Sequence, residues 1–311
     1  MFDTPTDLIQ HYQPQLATQW EHYLSQKNNR LEGCVTMRQL SGKVTFIDKI
    51  QDTHFQEKTG RMSKTELNEM EYGKRAIHST EYDQAIGFDE FDEIKLHGQR
   101  LPITETLQKL AEDYQRVSEK LIIDSALGTA YEGEKGVNPI ELPDSQTIPL
   151  DFAYGTNVQN SGLTYAKFAR LRRLAMENEA FGQGIMNGAD CLCLVTTASG
   201  IEDLYHDIFV NNREYLTSVD RVRQGEVDMF LGVKIIRTEQ LPSRLVGGQV
   251  VRDNVAFVKS KVTFGMRNNY STKMSIRDDL SEAIQLRAKF AIGASRTEEE
   301  GVWKMPCTVT S

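Results

Sequence analysis

The first hundred residues of this chain do not contain the makings of a core. They are mostly polar and extended, and their apolar residues are too sparse to enclose one another. Far downstream, Ile284, Leu286, Ala288, Phe290, Ile292 and Ala294 alternate at strict period two, the pattern of a strand with one buried face. An arm-and-loop section that cannot fold alone is thus joined to a compact body. Such a chain is expected to lean on neighbours rather than close around a ligand.

At 311 residues the chain is long enough for one large domain or two modest ones. Its apolar share of 39% is below the usual globular range, and the deficit is placed in the front third. The formal net charge is −8 and the isoelectric point is near 5.4. Tight sequence reading of DNA needs a basic face, so that class is disfavoured. A container wall that faces nucleic acid without gripping it remains open. No apolar run approaches the roughly 20 residues of a membrane span, and no signal peptide opens the chain. A cytosolic origin without membrane partners is the expectation.

Along the front section, Leu8, Tyr12, Leu16, Trp20, Tyr23 and Leu24 fit the stripe of an amphipathic helix. An isolated helix this short is marginal in water, so it is read as an arm docked on a neighbour. Cys34–Ile50 reads as two strands joined at Ser41-Gly42, and a further extended segment runs from Arg75 to Ile86. The charged stretch between, Thr53–Glu71, has almost no apolar content and reads as the tip of a long projecting hairpin. An isolated two-stranded hairpin is barely stable, so other subunits are expected to support it.

The clearest helix is Leu101–Gly128, with Pro102 at its first turn and Gly128 at its stop. Ile103, Leu107, Leu110, Tyr114, Val117 and Leu121 make its inward stripe. At about 1.5 Å per residue it is a rod of roughly 40 Å. Residues 129–162 look like a linker. Leu163–Phe181 reads as a second helix with Phe168, Leu171 and Leu174 inward and Lys167, Arg170 and Arg173 outward. A buried strand at Cys191–Thr196 follows, then a helix opened by Ser199 with Glu202 three later. Met229, Leu231, Val233 and Ile235 alternate as one strand, Val255–Phe264 as another, then Glu282–Ser295 and Trp303–Val309. The pattern gives an α+β class.

No constellation for catalysis competes with this reading. Gly128–Lys135 lacks the lysine and hydroxyl placement of a phosphate loop, and the six histidines are dispersed. Asp89, Glu90, Asp92 and Glu93 lack the glycine and ligand alternation of a calcium loop and read as a solvated charge run. Cys34, Cys191, Cys193 and Cys307 are widely scattered. Cys191 and Cys193 face one side of a strand, too close to bridge comfortably. No second pair completes a zinc site, so all four are read as buried thiols packing as small hydrophobes. No catalytic residue, cofactor site or metal site is nominated.

Three stretches resemble tailed-bacteriophage major capsid proteins. Ser218–Pro242 (SVDRVRQGEVDMFLGVKIIRTEQLP) is similar to that family's Asp, glycine turn, FLGxK strand and closing Leu-Pro. Lys120–Gly136 is similar to the end of its long spine helix and the following glycine turn. Ala256–Cys307 is similar to its closing strands, including the Ile-Gly-Ala-x-Arg step and the final Cys. The likeness runs in order over roughly residues 33–309.

It implies the Hong Kong 97-type fold in five segments: an N-terminal arm at 1–43, an extended loop at 44–90, a first peripheral part at 91–159 with its spine helix at 102–128, an axial domain at 160–254, and peripheral closing strands at 255–311. It further implies an icosahedral shell of hexamers and pentamers in a virion, assembled in the host bacterial cytoplasm around double-stranded DNA that is held without sequence reading. Implied partners are other copies of the chain, a separate scaffolding protein, a portal and a decoration protein. Candidate inter-subunit contacts are Trp20, Val44, Phe46, Lys58, Arg61, Lys64, Lys74 and Arg75. Lys58, Lys64 and Asn68 near the loop tip are not expected to cross-link. The rival readings are an encapsulin-like compartment, which shares the fold but packages enzymes, and an α/β enzyme with a lid at 54–71.

Overall fold

The structure is a computed structural model that describes residues 30–50, 55, 57, 72–88, 103–153, 160–180, 190–207, 229–267, 271–280 and 282–309. Its first strands are β1 (Thr36–Gln39), β2 (Val44–Ile50), β3 (Tyr72–His78) and β4 (Thr80–Phe88). Helix α1 (Ile103–Leu127) follows, with short strands β5 (Ala130–Glu132) and β6 (Asn138–Ile140). Then come α2 (Tyr165–Glu177), β7 (Leu192–Thr196), α3 (Ala198–His206), β8 (Met229–Phe230) and β9 (Val233–Arg237). The order closes with β10 (Ser243–Val246), β11 (Gln249–Val258), β12 (Val262–Met266), β13 (Ser271–Arg277), β14 (Ala283–Arg296) and β15 (Val302–Thr308).

A six-stranded sheet runs β10-β11-β7-β9-β8, with β15 also paired to β11. Its inner strands β7, β9, the second half of β11 and β15 are largely apolar on both faces because both faces are covered there, whereas the edge strand β10 is exposed. Leu192, Leu194, Ala256, Trp303 and Met305 point into one core with Phe168 and Leu171 of α2 and Leu204 of α3. Cys193, Val195, Val255, Phe257 and Val302 point the other way, onto Ile122, Ile123 and Ala126 of α1.

The five-stranded sheet is organised by β14, which pairs with β12 and β13 along one edge and with β4 along the other. Period two governs its first half, where Leu286 and Ala288 are buried and Arg287 and Lys289 are exposed. From Ala291 to Gly293 every residue is buried, because this half is covered on both faces, with Ile292 in the core shared with α1 and Gly293 against His78 and Ile77. The front half of α1 presents Leu107, Leu110 and Ala111 to Met274, Leu286 and Ala288. Its back half is buried more widely, at Ser118, Ile122, Ile123 and Ala126, while Val117 and Leu121 are half-buried. Leu110→Asp should therefore place an unpaired carboxylate in a closed apolar seam, at a cost on the order of 4 kcal/mol or more. The expected result is loss of soluble subunit on expression; a soluble variant with wild-type circular dichroism would mean that this face is hydrated.

Five local expectations are corrected. Ser41-Gly42 does not join a hairpin: β1 runs parallel to β12 and β2 pairs with β3, since the chain crosses between sheets there. Residues 229–235 are two strands, because Leu231 and Gly232 both take positive φ (50° and 78°) and make the two-residue turn that matches strand twist. Residues 255–264 break at a short 3-10 turn, Lys259–Lys261, and enter two different sheets. Helix α3 is capped by Thr197, whose hydroxyl accepts from the Gly200 N–H, and not by Ser199.

Lys167 is the fifth. It does not point outward: its side chain is fully buried, and Nζ donates to the carbonyls of Ser161 (2.8 Å) and Pro306 (3.0 Å). Burial pushes its pKa below the ordinary lysine value. Of the expected basic face, Arg170 lies over the Phe152 ring and Arg173 pairs with Glu177.

Candidate assembly element at the root of the long hairpin

Strands β2 and β3 pair antiparallel from Val44↔His78 to Ile50↔Tyr72, leaving residues 51–71 to form the connection. Burial falls along β3 with distance from the body. Ala76 and Ile77 are fully buried, whereas Tyr72 is 70% exposed. On its other edge β3 pairs with β5, placing Arg75 opposite Glu132. Gly136, at φ 63°, lies so close to Phe46 that a Cβ there would stand 3.3 Å from its ring. The hairpin is therefore held from the side as well as at its base.

Two buried guanidinium groups fix its direction. Arg75 is 1% exposed. Its Nη2 donates to both Glu299 carboxylate oxygens (2.8 and 3.0 Å), and its Nε donates to the Thr297 carbonyl at 3.2 Å. Arg296 has no exposed surface. Its Nη1 donates to the carbonyls of Ala126 (2.9 Å) and Gly128 (2.8 Å), and its Nη2 to that of Ile140 (3.1 Å). Helix ends leave carbonyls without intrahelical partners and carry partial negative charge; Arg296 answers both at the end of α1. Its Nε lies 3.5 Å from Glu299. Burial draws the Arg296 pKa down, and the Glu299 carboxylate opposes that shift. One carboxylate thus joins the hairpin, the end of the long helix and the turn between β14 and β15.

Trp20, Lys58, Arg61 and Lys64 lie outside the described residues, as does Asn68. Val44 and Phe46 are half-buried and Lys74 is exposed, with the Lys74 carbonyl accepting from the Gly133 N–H. Arg75, expected at a subunit contact, spends its Nε and Nη2 on its own chain, while its Nη1 stands 3.8 Å from the Glu132 carboxylate. Sequence reasoning passed over Arg296 and Glu299, because charged residues after a strand ordinarily read as surface. The available signal was the Ile-Gly-Ala-x-Arg step, whose arginine is Arg296.

A family model described as phage capsid protein matches residues 8–309. No curated protein matches the chain by sequence. The capsid protein of Ralstonia phage GP4 is similar in structure, with a TM-score of 0.68 at 9% identity over 89% of this chain and 88% of that one. The mature capsid protein of bacteriophage PhiM1 gives 0.62 at 12% identity over 92% and 89%. The SrpI encapsulin of Synechococcus elongatus gives 0.56 at 10% identity over 92% and 89%. The chain belongs to the phage capsid protein family, and its fold is the Hong Kong 97-type fold of tailed-phage major capsid proteins.

Proposed function

We propose that this chain is the repeating wall subunit of a tailed double-stranded DNA phage head, forming hexamers and pentamers of an icosahedral shell. The observation that supports this reading most is the β2–β3 hairpin, clamped at its root by Arg75 and Arg296 while apolar surface beyond the root stands in water. Tyr72 and Phe55 present aromatic surface to water, and a neighbouring copy would bury it. Function is then geometry. Heterologous contacts that close by rotation make rings, and small changes of angle let one chain occupy both ring sizes. A standard interface buries about 1,600 Å² in total, and a shell repeats it around every subunit. Stability becomes inseparable from assembly.

In this reading the chain performs no catalysis, and its residence is the virion after assembly in the host cytoplasm. A net charge of −8 keeps packaged DNA from adhering to the wall. A scaffolding protein, a portal and a decoration protein complete the set of partners. Negative-stain microscopy of purified protein is expected to show hollow particles of uniform size. Deleting residues 54–71 should leave a folded subunit that no longer forms stable shells, and normal particles from that deletion would remove the hairpin from the mechanism. Particles filled with protein cargo rather than nucleic acid would move the assignment to an encapsulin-like compartment.

A further inference from the structure

Cys34, Cys191 and Cys193 are distant in sequence, but the fold brings them together. Cys34 ends the short 3-10 turn Glu32–Cys34, just ahead of β1. Cys191 and Cys193 stand at the start of β7, and their sulfurs are 3.4 Å apart. All three sulfurs lie within 4.8 Å of one another, which corrects the reading of scattered thiols.

Tetrahedral zinc takes thiolates at about 2.3 Å, which separates its sulfurs by about 3.8 Å. The 3.4 Å between Cys191 and Cys193 is a few tenths of an ångström short of that edge, and no sulfur of the trio is more than 4.8 Å from another. Cys34 and Cys193 are buried and Cys191 is half-exposed, so the ligand set is closed on the protein side and open at Cys191. The surroundings favour thiolate at Cys191, whereas hydrogen bonding to Cys191 and burial push the Cys34 and Cys193 thiols up. Hydrogen bonds from Cys193 and Cys34, followed by the charges of Lys234 and Lys259, hold the Cys191 thiol well below its ordinary value. A divalent ion on three thiolates carries a net charge of −1, which the Lys234 ammonium balances.

We propose that Cys34, Cys191 and Cys193 form a three-thiolate site for a soft divalent cation of the zinc class, with water or a small thiol as fourth ligand. Binding releases to solvent whatever thiol protons remain, those of Cys34 and Cys193, and changes no oxidation state. The ion ties the turn that leads into β1 to β7 of the six-stranded sheet. Metal-ligand bonds of this kind add directly to folding stability.

The test is titration of reduced, metal-free, full-length protein with Cd²⁺, following the ultraviolet thiolate-to-cadmium charge-transfer band. One ion per chain is expected, with a band intensity matching three thiolates and a raised thermal midpoint. Cys191→Ser, at the half-exposed position most tolerant of change, should weaken Cd²⁺ binding by about 100-fold or more. Cys307→Ser, outside the cluster, should leave the band intact. A band of one or two thiolates, a titration unaffected by Cys191→Ser, or protein isolated with a disulfide within the trio that resists mild reduction would each overturn the proposal. The wild-type band and stoichiometry decide the matter even if the serine variants fail to fold.

Discussion

Arg296→Ala should destabilise the subunit by about 3–5 kcal/mol, the range found when one partner of a buried charge network is removed. The side chain has no exposed surface, so water does not replace it without opening the core. Its loss would orphan the carbonyls of Ala126, Gly128 and Ile140. It would also leave the end of α1 without its cation and Glu299 with Arg75 alone. Buried acceptors left without donors carry their full desolvation penalty. Arg296→Lys should recover only part of the loss, because an ammonium lacks the planar fork that reaches carbonyls on two sides. Urea unfolding of unassembled subunit measures this directly. An alanine variant within about 1 kcal/mol of wild type would mean the guanidinium contributes no more than a surface pair.

Gly293→Val is the second large expected effect, and it acts on geometry rather than charge. A Cβ at Gly293 would stand 2.4 Å from the His78 carbonyl oxygen and 3.0 Å from Ile77 Cγ2. The obstacle is the backbone at the base of β3, which does not swing aside as a side chain would. Overpacking ordinarily costs about 1–3 kcal/mol, and a branched residue against backbone belongs at or above the top of that range. The hairpin root would be pushed off β14, so surviving subunits should also fail to form shells. Gly265, the cross-strand partner of Gly293, supplies the comparison. A Cβ there would meet the Leu40 side chain, at 2.4 Å from Cδ2, and a leucine can change rotamer. Gly265→Ala should be the milder change in both unfolding and particle yield. Equal effects for the two glycines would mean the hairpin root is not the tight point.

These two residues explain why the Ile-Gly-Ala-x-Arg step was legible only as a resemblance. Its spacing matches no metal or phosphate motif. Gly293 lets the hairpin base approach β14, while Arg296 caps a helix whose following residue, Gly128, lies 168 positions earlier. Neither partner is close in sequence, so no local pattern announces either role. Lys167 shows the same limit from the other side. Its helix position reads as the polar face, yet the β15 end covers it with the Pro306 carbonyl at 3.0 Å.

Periodicity was informative where burial is one-sided. The stripe on α1 from Leu107 to Tyr114 and the alternation of β14 up to Phe290 both follow from a single buried face. It failed where a segment is covered on several sides or changes sheet. Residues 255–264 look like one strand because both of the strands they contain are apolar, and only the turn at Lys259–Lys261 divides them. At Leu231-Gly232 the alternation continues straight through a tight turn, because left-handed backbone leaves no mark on hydrophobic spacing.

The amino-acid sequence by itself determined the α+β class, the long helix, the long central strand and the shortage of core-forming residues at the front. Those properties depend on composition and on neighbours a few positions apart. Tertiary structure decided which strand lies beside which, why Arg75, Lys167 and Arg296 are buried, and how Cys34 reaches Cys191 and Cys193. Each of these depends on groups that meet only after the chain has crossed between sheets, and the free energy of such a meeting is not encoded in any single stretch.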